Sequence, residues 1–311
     1  MSDLPLLPVG RTASVRVPAT SANLGPGFDS LGLALDWYDD YFVEVTPSGL
    51  AFDLTGPGSS TLPRDDSHLI IHTLKGALAK FGFQAPGLFF RSELSIPLAR
   101  GLGSSSAAVV AGLGLAWALA RPGVLIDRQA TFESAYKIEG HGDNVGPAVL
   151  GGFTITWPSS APGMNGLPES RTSLVRDDVR ALALIPSEEL LTDSARGALP
   201  AEVPLSDAIA NVARSALLVH AMADDPGLLL EATADRLHQD YRKSLAPASH
   251  ALMSALREQG FAALVSGAGP TVLVLHQESD SPALTRAVQS LPEAEGFQVR
   301  MVRPGRGLEL L

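Results

Sequence analysis

The chain has 311 residues, of which 45% are hydrophobic and 18% charged, so it is long enough for two globular domains with full cores. It contains no cysteine, which excludes disulfides, cysteine–zinc sites and thiol nucleophiles. The formal net charge is −10 and no run of Lys or Arg occurs, so we expect no nucleic-acid partner.

The opening residues have neither a basic region nor a continuous apolar core, so they do not resemble a signal peptide. The longest apolar run, residues 107–120, is too short to cross a bilayer. We therefore expect a cytoplasmic protein without membrane contact.

In the first half of the chain, strands and helices are predicted to alternate. Helices follow from apolar spacing at three and four residues, and strands from β-branched and aromatic runs. We expect strands at 11–18, 33–46, 88–96 and 153–157, helices at 67–81, 104–120 and 127–139, and loops at 21–30 and 139–152. Asp127 is the expected N-cap of the third helix. The helix at 104–120 is apolar on every face and therefore buried. Its small residues would let it lie close against a sheet: Ala107, Ala108, Ala111, Gly112 and Gly114.

Residues 158–172 are rich in Pro, Gly and Ser and are the best linker candidate. Beyond them we expect strands at 181–185, 261–265, 271–275 and 297–302, and helices at 204–222, 226–237, 247–259 and 281–291. Hairpin-like strand pairs are frequent, which favours an α+β fold in two domains. The expected domains are 1–160 and 161–311, and the last strand could rejoin the first domain.

Residues 97–106 form the most informative junction, because a glycine-rich loop leads directly into the buried helix. The free N–H groups and positive dipole of a helix N-terminus attract anions. Gly101 and Gly103 allow close backbone approach, and Ser104, Ser105 and Ser106 can cap the helix, bind phosphate or ligate Mg²⁺. The alternative is an ordinary capped helix after a glycine turn. The loop is neither a P-loop nor a dinucleotide fingerprint.

Four segments together carry a family resemblance: PATSANLGPGFD at 18–29, PLARGLGSSSAA at 97–108, EGHGDNVGPAVLGG at 139–152 and SGAGPT at 266–271. They closely resemble the homoserine kinase branch of the GHMP small-molecule kinase superfamily. The resemblance implies a two-domain GHMP kinase fold, with an N-terminal domain like ribosomal protein S5 domain 2 and a ferredoxin-like C-terminal domain. It also implies that ATP, with Mg²⁺, phosphorylates the side-chain hydroxyl of L-homoserine to O-phospho-L-homoserine, a step toward threonine. Homodimers are usual in the family.

The resemblance assigns the ATP site to one continuous loop. Its expected members are Pro97, Leu98, Ala99, Arg100, Gly101, Leu102, Gly103, Ser104, Ser105, Ser106 and Ala107. Arg100 would add positive charge or simply be solvated. For Mg²⁺ the resemblance implies Ser104 and Glu133, whereas periodicity alone leaves open a surface pair between Glu133 and Lys137.

L-Homoserine carries an ammonium, a carboxylate and a hydroxyl, and each requires a different partner. By resemblance, Asp29 would bind the ammonium with Asn23 as a second contact. Arg196 and Arg242 would bind the carboxylate. His141, Asn144 and Thr192 would lie at the hydroxyl, as catalytic candidates.

Each residue also has a simpler interpretation. Loop Asp and Asn residues commonly stabilise turns, and a single His is commonly a structural hydrogen-bonder. Arg242 could cover a helix face.

No general base is evident in the sequence, so alignment and charge neutralisation are the expected means of catalysis, with His141 as a weaker candidate for proton acceptor. The segment 266–271 is expected to abut the phosphate loop. His68 is the residue nearest the position where family members often have an adenine-facing Asn. Two other interpretations stay open: another GHMP kinase of the mevalonate or shikimate type, and a non-catalytic binding protein on the same fold.

Overall fold

Two β-sheets with helices packed on them make up the protein. The structure is a computed structural model, and it describes residues 4–160, 166, 168–190 and 192–311. The strands are β1 (Thr12–Ala22), β2 (Leu31–Thr46), β3 (Gly49–Thr55), β4 (Gly87–Glu93), β5 (Phe153–Pro158), β6 (Pro168–Ser173), β7 (Val179–Ile185), β8 (Ala262–Val265), β9 (Val272–Gln277), β10 (Gln298–Val302) and β11 (Glu309–Leu310). The α-helices are α1 (Leu69–Lys80), α2 (Ser104–Ala120), α3 (Arg128–Glu139), α4 (Val145–Leu150), α5 (Thr192–Gly197), α6 (Leu205–Ala223), α7 (Leu229–Ala232), α8 (Pro247–Glu258) and α9 (Ser281–Ser290).

The first sheet is organised by β2, which is 16 residues long and pairs with three neighbours. Its strand order is β11-β1-β2-β4-β3, and β5 joins β2 while β6 joins β5. The start of β2 pairs with β5 and its end pairs with β4, both antiparallel. A single long strand therefore connects two parts of this sheet.

The second sheet has the antiparallel order β10-β7-β9-β8. Alternate residues of β7 belong to different cores. Leu182 and Leu184 pack towards α8 and α9, whereas Ala181 and Ala183 pack into a cluster that contains Leu33 of β2 and residues of α6. Both faces of β7 are buried, which explains why its residues 181–185 are all apolar.

The central helix α2 has the bounds that the sequence predicts, and it packs closely through its small residues. A Cβ added at Gly112 would lie 2.7 Å from Thr73 Cβ and 2.8 Å from the Ile70 carbonyl oxygen, so Gly112 faces α1. A Cβ at Gly114 would lie 3.1 Å from Leu308 and 3.3 Å from Val15 of β1. The glycines thus let α2 approach a helix on one side and the sheet on another.

The α+β class is confirmed, and so is Asp127 as N-cap, whose side chain accepts a hydrogen bond from the Ala130 N–H. Three expectations were wrong. The predicted loop at 139–152 contains the helix α4, which the sequence does not predict because its Gly and Pro disfavour helix formation. The predicted linker contains β6, a polar strand held by pairing with β5; residues 161–165 and 167 of that segment lie outside the described chain. The predicted helix at 226–237 is a 3₁₀ turn followed by the short α7.

Three short elements, β3, α5 and β11, were not predicted. The strand predicted at 297–302 pairs with β7, and it is β11 that returns to β1 in the first sheet. The division of the chain at residue 160 stays a prediction. Among the helices that the structure describes, none has the length and apolar content needed to cross a membrane.

We expect Gly112→Ala to lower the free energy of unfolding by about 1–3 kcal/mol, because the new methyl group would overpack the contact between α1 and α2. Gly76→Ala in α1 is the matched control, since nothing lies within 4 Å of a Cβ there. Helix propensity predicts that this control raises stability by up to about 1 kcal/mol. Urea unfolding of both variants checks the prediction, and a Gly112→Ala protein as stable as the control would contradict the packing.

Candidate active site

The N-terminus of α2 has no side-chain cap. Its N-cap is Gly103, at φ 70°, and no side chain accepts from the first-turn N–H groups. The expectation that the serines cap the helix is wrong: Ser105 Oγ and Ser106 Oγ donate to the two Glu139 carboxylate oxygens, at 2.8 and 2.7 Å. The positive end of the helix therefore stays available to an anion from outside the chain.

The glycine-rich loop is clamped by backbone from the segment 266–271, as the resemblance implied. A Cβ at Gly101 would lie 2.4 Å from the Ser266 carbonyl oxygen, and one at Gly103 would lie 1.9 Å from Thr20 Oγ1. Ser266 Oγ also donates to the Gly101 carbonyl, at 2.6 Å. Glycine is required at both positions because the neighbouring segments leave no space for a side chain and both φ angles are positive.

A cleft of about 380 Å³ lies in front of this loop. Most of the predicted site residues line it: Asn23, Asp29, Ala99, Gly101, Gly103, Ser104, Ser105, Ser106, His141, Asn144, Arg196 and Arg242. The other predicted residues of the loop, Pro97, Leu98, Arg100, Leu102 and Ala107, do not line it, and neither does Glu133. Thr192 begins α5, but its side chain is outside the described part of the chain.

Arg100 is directed away from the cleft. Its guanidinium donates to the carbonyls of Leu98 and Pro186, at 3.0 and 3.1 Å, and to that of Ser187. It also forms an ion pair with Glu189, at 3.2 Å. Arg100 thus ties the phosphate loop to residues 186–189.

The loop between β1 and β2 presents Asn23 and Asp29, both with positive φ, at 66° and 55°. Such backbone is uncommon for residues other than glycine and concentrates at functional sites. The Asn23 amide accepts from the Asp29 N–H at 3.0 Å and donates to the Gly267 carbonyl at 2.9 Å. Asn23 therefore shapes the loop that presents the Asp29 carboxylate.

Asp29 and Arg196, which the family resemblance assigned to opposite charges of one substrate, pair with each other. Two guanidinium nitrogens donate to the two carboxylate oxygens, at 3.0 and 3.1 Å. The pair is half-exposed at the cleft. An amino-acid zwitterion entering between them would offer each group a partner of the right charge.

Arg242 is a buried cation beside the same pair. Its Nε donates to the Ala195 carbonyl at 3.0 Å, and the guanidinium lies 5.6 Å from the centre of the Phe28 ring. Burial, and the nearby charge of Arg196, lower its pKa. In the described chain it forms no ion pair with a carboxylate, so its charge is available to an anionic ligand.

His141 and Asn144 come just before α4 and also line the cleft. His141 Nδ1 is 2.7 Å from Asp143 Oδ1, and this hydrogen bond raises the pKa of His141 despite its partial burial. Asn144 Oδ1 accepts from Thr20 Oγ1 at 2.8 Å, next to Gly103. Asp143 therefore favours the protonated imidazole, and Asn144 joins the start of α4 to β1 beside Gly103.

Two carboxylates of α3 differ in where they lie. Glu133 Oε1 accepts from Gln129 Nε2 at 3.0 Å, one turn earlier on the helix. Glu139, at the end of α3, contacts the serines of the phosphate loop and lines the cleft. Sequence reasoning missed Glu139, although its place in the EGHGDN segment, next to other site residues, was a signal for it.

A second cavity, of about 270 Å³, adjoins the cleft and shares Ser104 and Ser105 with it. Its wall is largely apolar, and it includes Leu98 of the phosphate loop. His68 is buried there, and in the described structure neither ring nitrogen has a hydrogen-bond partner. Burial lowers the pKa of His68, which leaves a neutral ring with one donor and one acceptor.

Family models match both halves of the chain. The model of the GHMP kinases N terminal domain matches residues 68–152, and that of the GHMP kinases C terminal matches residues 214–294. The two matches together identify the chain as a GHMP kinase.

Curated relatives narrow the assignment. The chain is 48% identical to a homoserine kinase of Streptomyces avermitilis, over 90% of this chain and 91% of the relative. It is 47% identical to a homoserine kinase of Clavibacter michiganensis, over 98% of this chain and 92% of the relative. The crystal structure of a homoserine kinase from Cytophaga hutchinsonii superposes with a TM-score of 0.81 at 25% identity, covering 96% of this chain and 97% of that one. The chain belongs to the homoserine kinase family.

Proposed function

We propose that the protein transfers the γ-phosphoryl group of ATP to the side-chain hydroxyl of L-homoserine, giving ADP and O-phospho-L-homoserine. One observation carries the proposal. The uncapped start of α2, suited to a polyphosphate, and the Asp29, Arg196 and Arg242 charges, suited to an amino-acid zwitterion, line one cleft. The family assignment makes the chain an ATP-dependent kinase.

The phosphate end of the site depends on Gly101, Gly103 and the serines Ser104 to Ser106. Backbone N–H groups of the first turn of α2 would bind the phosphate oxygens, and the helix dipole would stabilise their charge. In phosphoryl transfer, alignment and charge stabilisation do most of the work. The second cavity would receive the adenine base, with His68 offering a donor and an acceptor to its edge.

The donor set in the cleft fits Mg²⁺, since serine hydroxyls and carboxylates are hard oxygen ligands. We propose that Ser104 and Glu139 hold the ion in the cleft. The resemblance also implies Glu133 as a ligand; because Glu133 does not line the cleft, its part in holding the ion stays a prediction. When bound, Mg²⁺ neutralises charge on the phosphates. A cation there also offsets the repulsion between a triphosphate and the Glu139 carboxylate.

At the substrate end, Asp29 would bind the ammonium of L-homoserine, while Arg196 and the buried Arg242 would bind its carboxylate. Asn23 supports this geometry by fixing the loop that carries Asp29. The hydroxyl would then lie near His141, Asn144 and Thr192. Because Asp143 raises the pKa of His141, this imidazole suits stabilisation of negative charge better than proton abstraction at neutral pH.

Two further expectations also stay proposals: a homodimer, which rests on the family resemblance, and a cytoplasmic location, which rests on the sequence.

The direct test of function is ADP release with L-homoserine, mevalonate and shikimate as acceptors. Mevalonate and shikimate carry a carboxylate and hydroxyls but no ammonium, so they would leave Asp29 without its partner. We expect kcat/KM for L-homoserine to exceed the kcat/KM for mevalonate and for shikimate by at least about a hundredfold. Equal or better turnover of mevalonate or shikimate would instead support another GHMP kinase. No ADP release with any acceptor, and no binding of Mg·ATP by calorimetry, would support a non-catalytic protein.

The metal ligands can be tested by the Mg²⁺ concentration that gives half-maximal activity. We expect Glu139→Gln and Glu133→Gln each to raise it by about tenfold, because loss of a ligand or of a group that orients one weakens metal binding by that order. Glu293→Gln, exposed and outside the cleft, is the matched control and should leave it unchanged. An unchanged Mg²⁺ requirement for Glu133→Gln would exclude Glu133 from the metal site and leave Glu139 as the α3 carboxylate that binds it.

A further inference from the structure

His238 is a buried histidine behind the substrate end of the cleft, and the proposed function gives it no part. It lies between α7 and the 3₁₀ helix Asp240–Leu245, with 1% of its surface exposed. The backbone around it is held by the Asp235 carboxylate, which accepts hydrogen bonds from the N–H groups of Leu237, His238 and Gln239 at 2.8–3.0 Å. The imidazole is therefore held in one place.

The contacts of the ring fix its tautomer. Nε2 lies 2.8 Å from the Gly25 carbonyl oxygen, which can only accept, so Nε2 carries the hydrogen. Nδ1 lies 3.2 Å from Nη1 of Arg242, which can only donate, so Nδ1 is the acceptor. Burial lowers the pKa of His238 and keeps the ring neutral, as both bonds require.

These two bonds connect separate walls of the substrate site. Gly25 belongs to the loop that presents Asn23 and Asp29, and Arg242 also donates to the Ala195 carbonyl next to Arg196. The Phe28 ring packs on the His238 ring at 5.2 Å between centres. The imidazole thus sets the position of the Arg242 guanidinium relative to the Asp29 loop.

We infer that His238 is a positioning residue for homoserine: it accepts a hydrogen bond from Arg242 while donating one to Gly25, and so aims the guanidinium at the substrate carboxylate. This inference rests on the proposed function. It requires that the acceptor at Nδ1, more than the donor at Nε2, governs the affinity for homoserine.

Two amide variants separate the two bonds, because each places a polar group near one of the two ring nitrogens. His238→Gln keeps a donor at the ε position for Gly25 but has no acceptor at the δ position for Arg242. His238→Asn keeps an acceptor at the δ position and loses the donor. We expect His238→Gln to raise KM for homoserine about tenfold, with KM for ATP and kcat within about twofold, and His238→Asn to raise it by no more than about threefold.

His276→Gln is the control, because His276 is buried in β9, outside the cleft, and pairs with Ser281. It should leave both KM values unchanged. An equal rise of KM for homoserine in both His238 variants, or a matching rise of KM for ATP, would reduce His238 to a structural role and overturn the inference. A wild-type protein inactive on homoserine would instead reject the proposed function.

If His238→Gln fails to fold, ¹⁵N NMR of the free wild-type protein still tests the inference, because it reports which ring nitrogen of His238 is protonated. A neutral ring protonated at Nε2 at pH 7 supports the inference. Protonation at Nδ1, or an imidazolium, overturns it, because Arg242 would then have no acceptor on the His238 ring.

Discussion

The active site depends on close contact between the backbone of the phosphate loop and the segment that follows β8. A Cβ at Gly101 would clash with the carbonyls of Ser266 and Gly269, and Ser266 Oγ donates to the Gly101 carbonyl. On another side of the loop, a Cβ at Gly103 would clash with Thr20 of β1. The start of α2 is therefore fixed before any nucleotide binds. Preorganised donors need no rearrangement when charge develops on the transferred phosphoryl group, which is how such sites lower the barrier.

The opposite end of the cleft follows a different rule, since it consists of charges rather than backbone amides. Asp29 and Arg196 satisfy one another across 167 residues of sequence, and Arg242 is buried among carbonyls and the His238 ring. A zwitterion can take a place in this arrangement without leaving a buried charge unpaired. The distribution of charge thus favours an amino acid over an acid that lacks an ammonium.

How much the sequence predicts varies with how local the cause is. The bounds of α2 and the cap at Asp127 follow from neighbouring residues and are confirmed. The helix α4 was missed because Gly146 and Pro147 oppose helix formation locally, while its packing against β1 and β5 stabilises it. No local pattern could show that Glu139 accepts hydrogen bonds from Ser105 and Ser106, or that Asp29 pairs with Arg196. Most predicted cleft residues do come together, whereas the side chains of Arg100 and Glu133 turn to other partners.

We expect the open amides at the start of α2 to bind the polyphosphate. The decisive measurement is a crystal structure with a nonhydrolysable ATP analogue, Mg²⁺ and L-homoserine. The β- and γ-phosphate oxygens should lie within hydrogen-bond distance of the Ser104 to Ser106 amides, and the homoserine hydroxyl should face the γ-phosphorus. Phosphates bound anywhere else in the cleft, with these amides contacting only solvent, would contradict it.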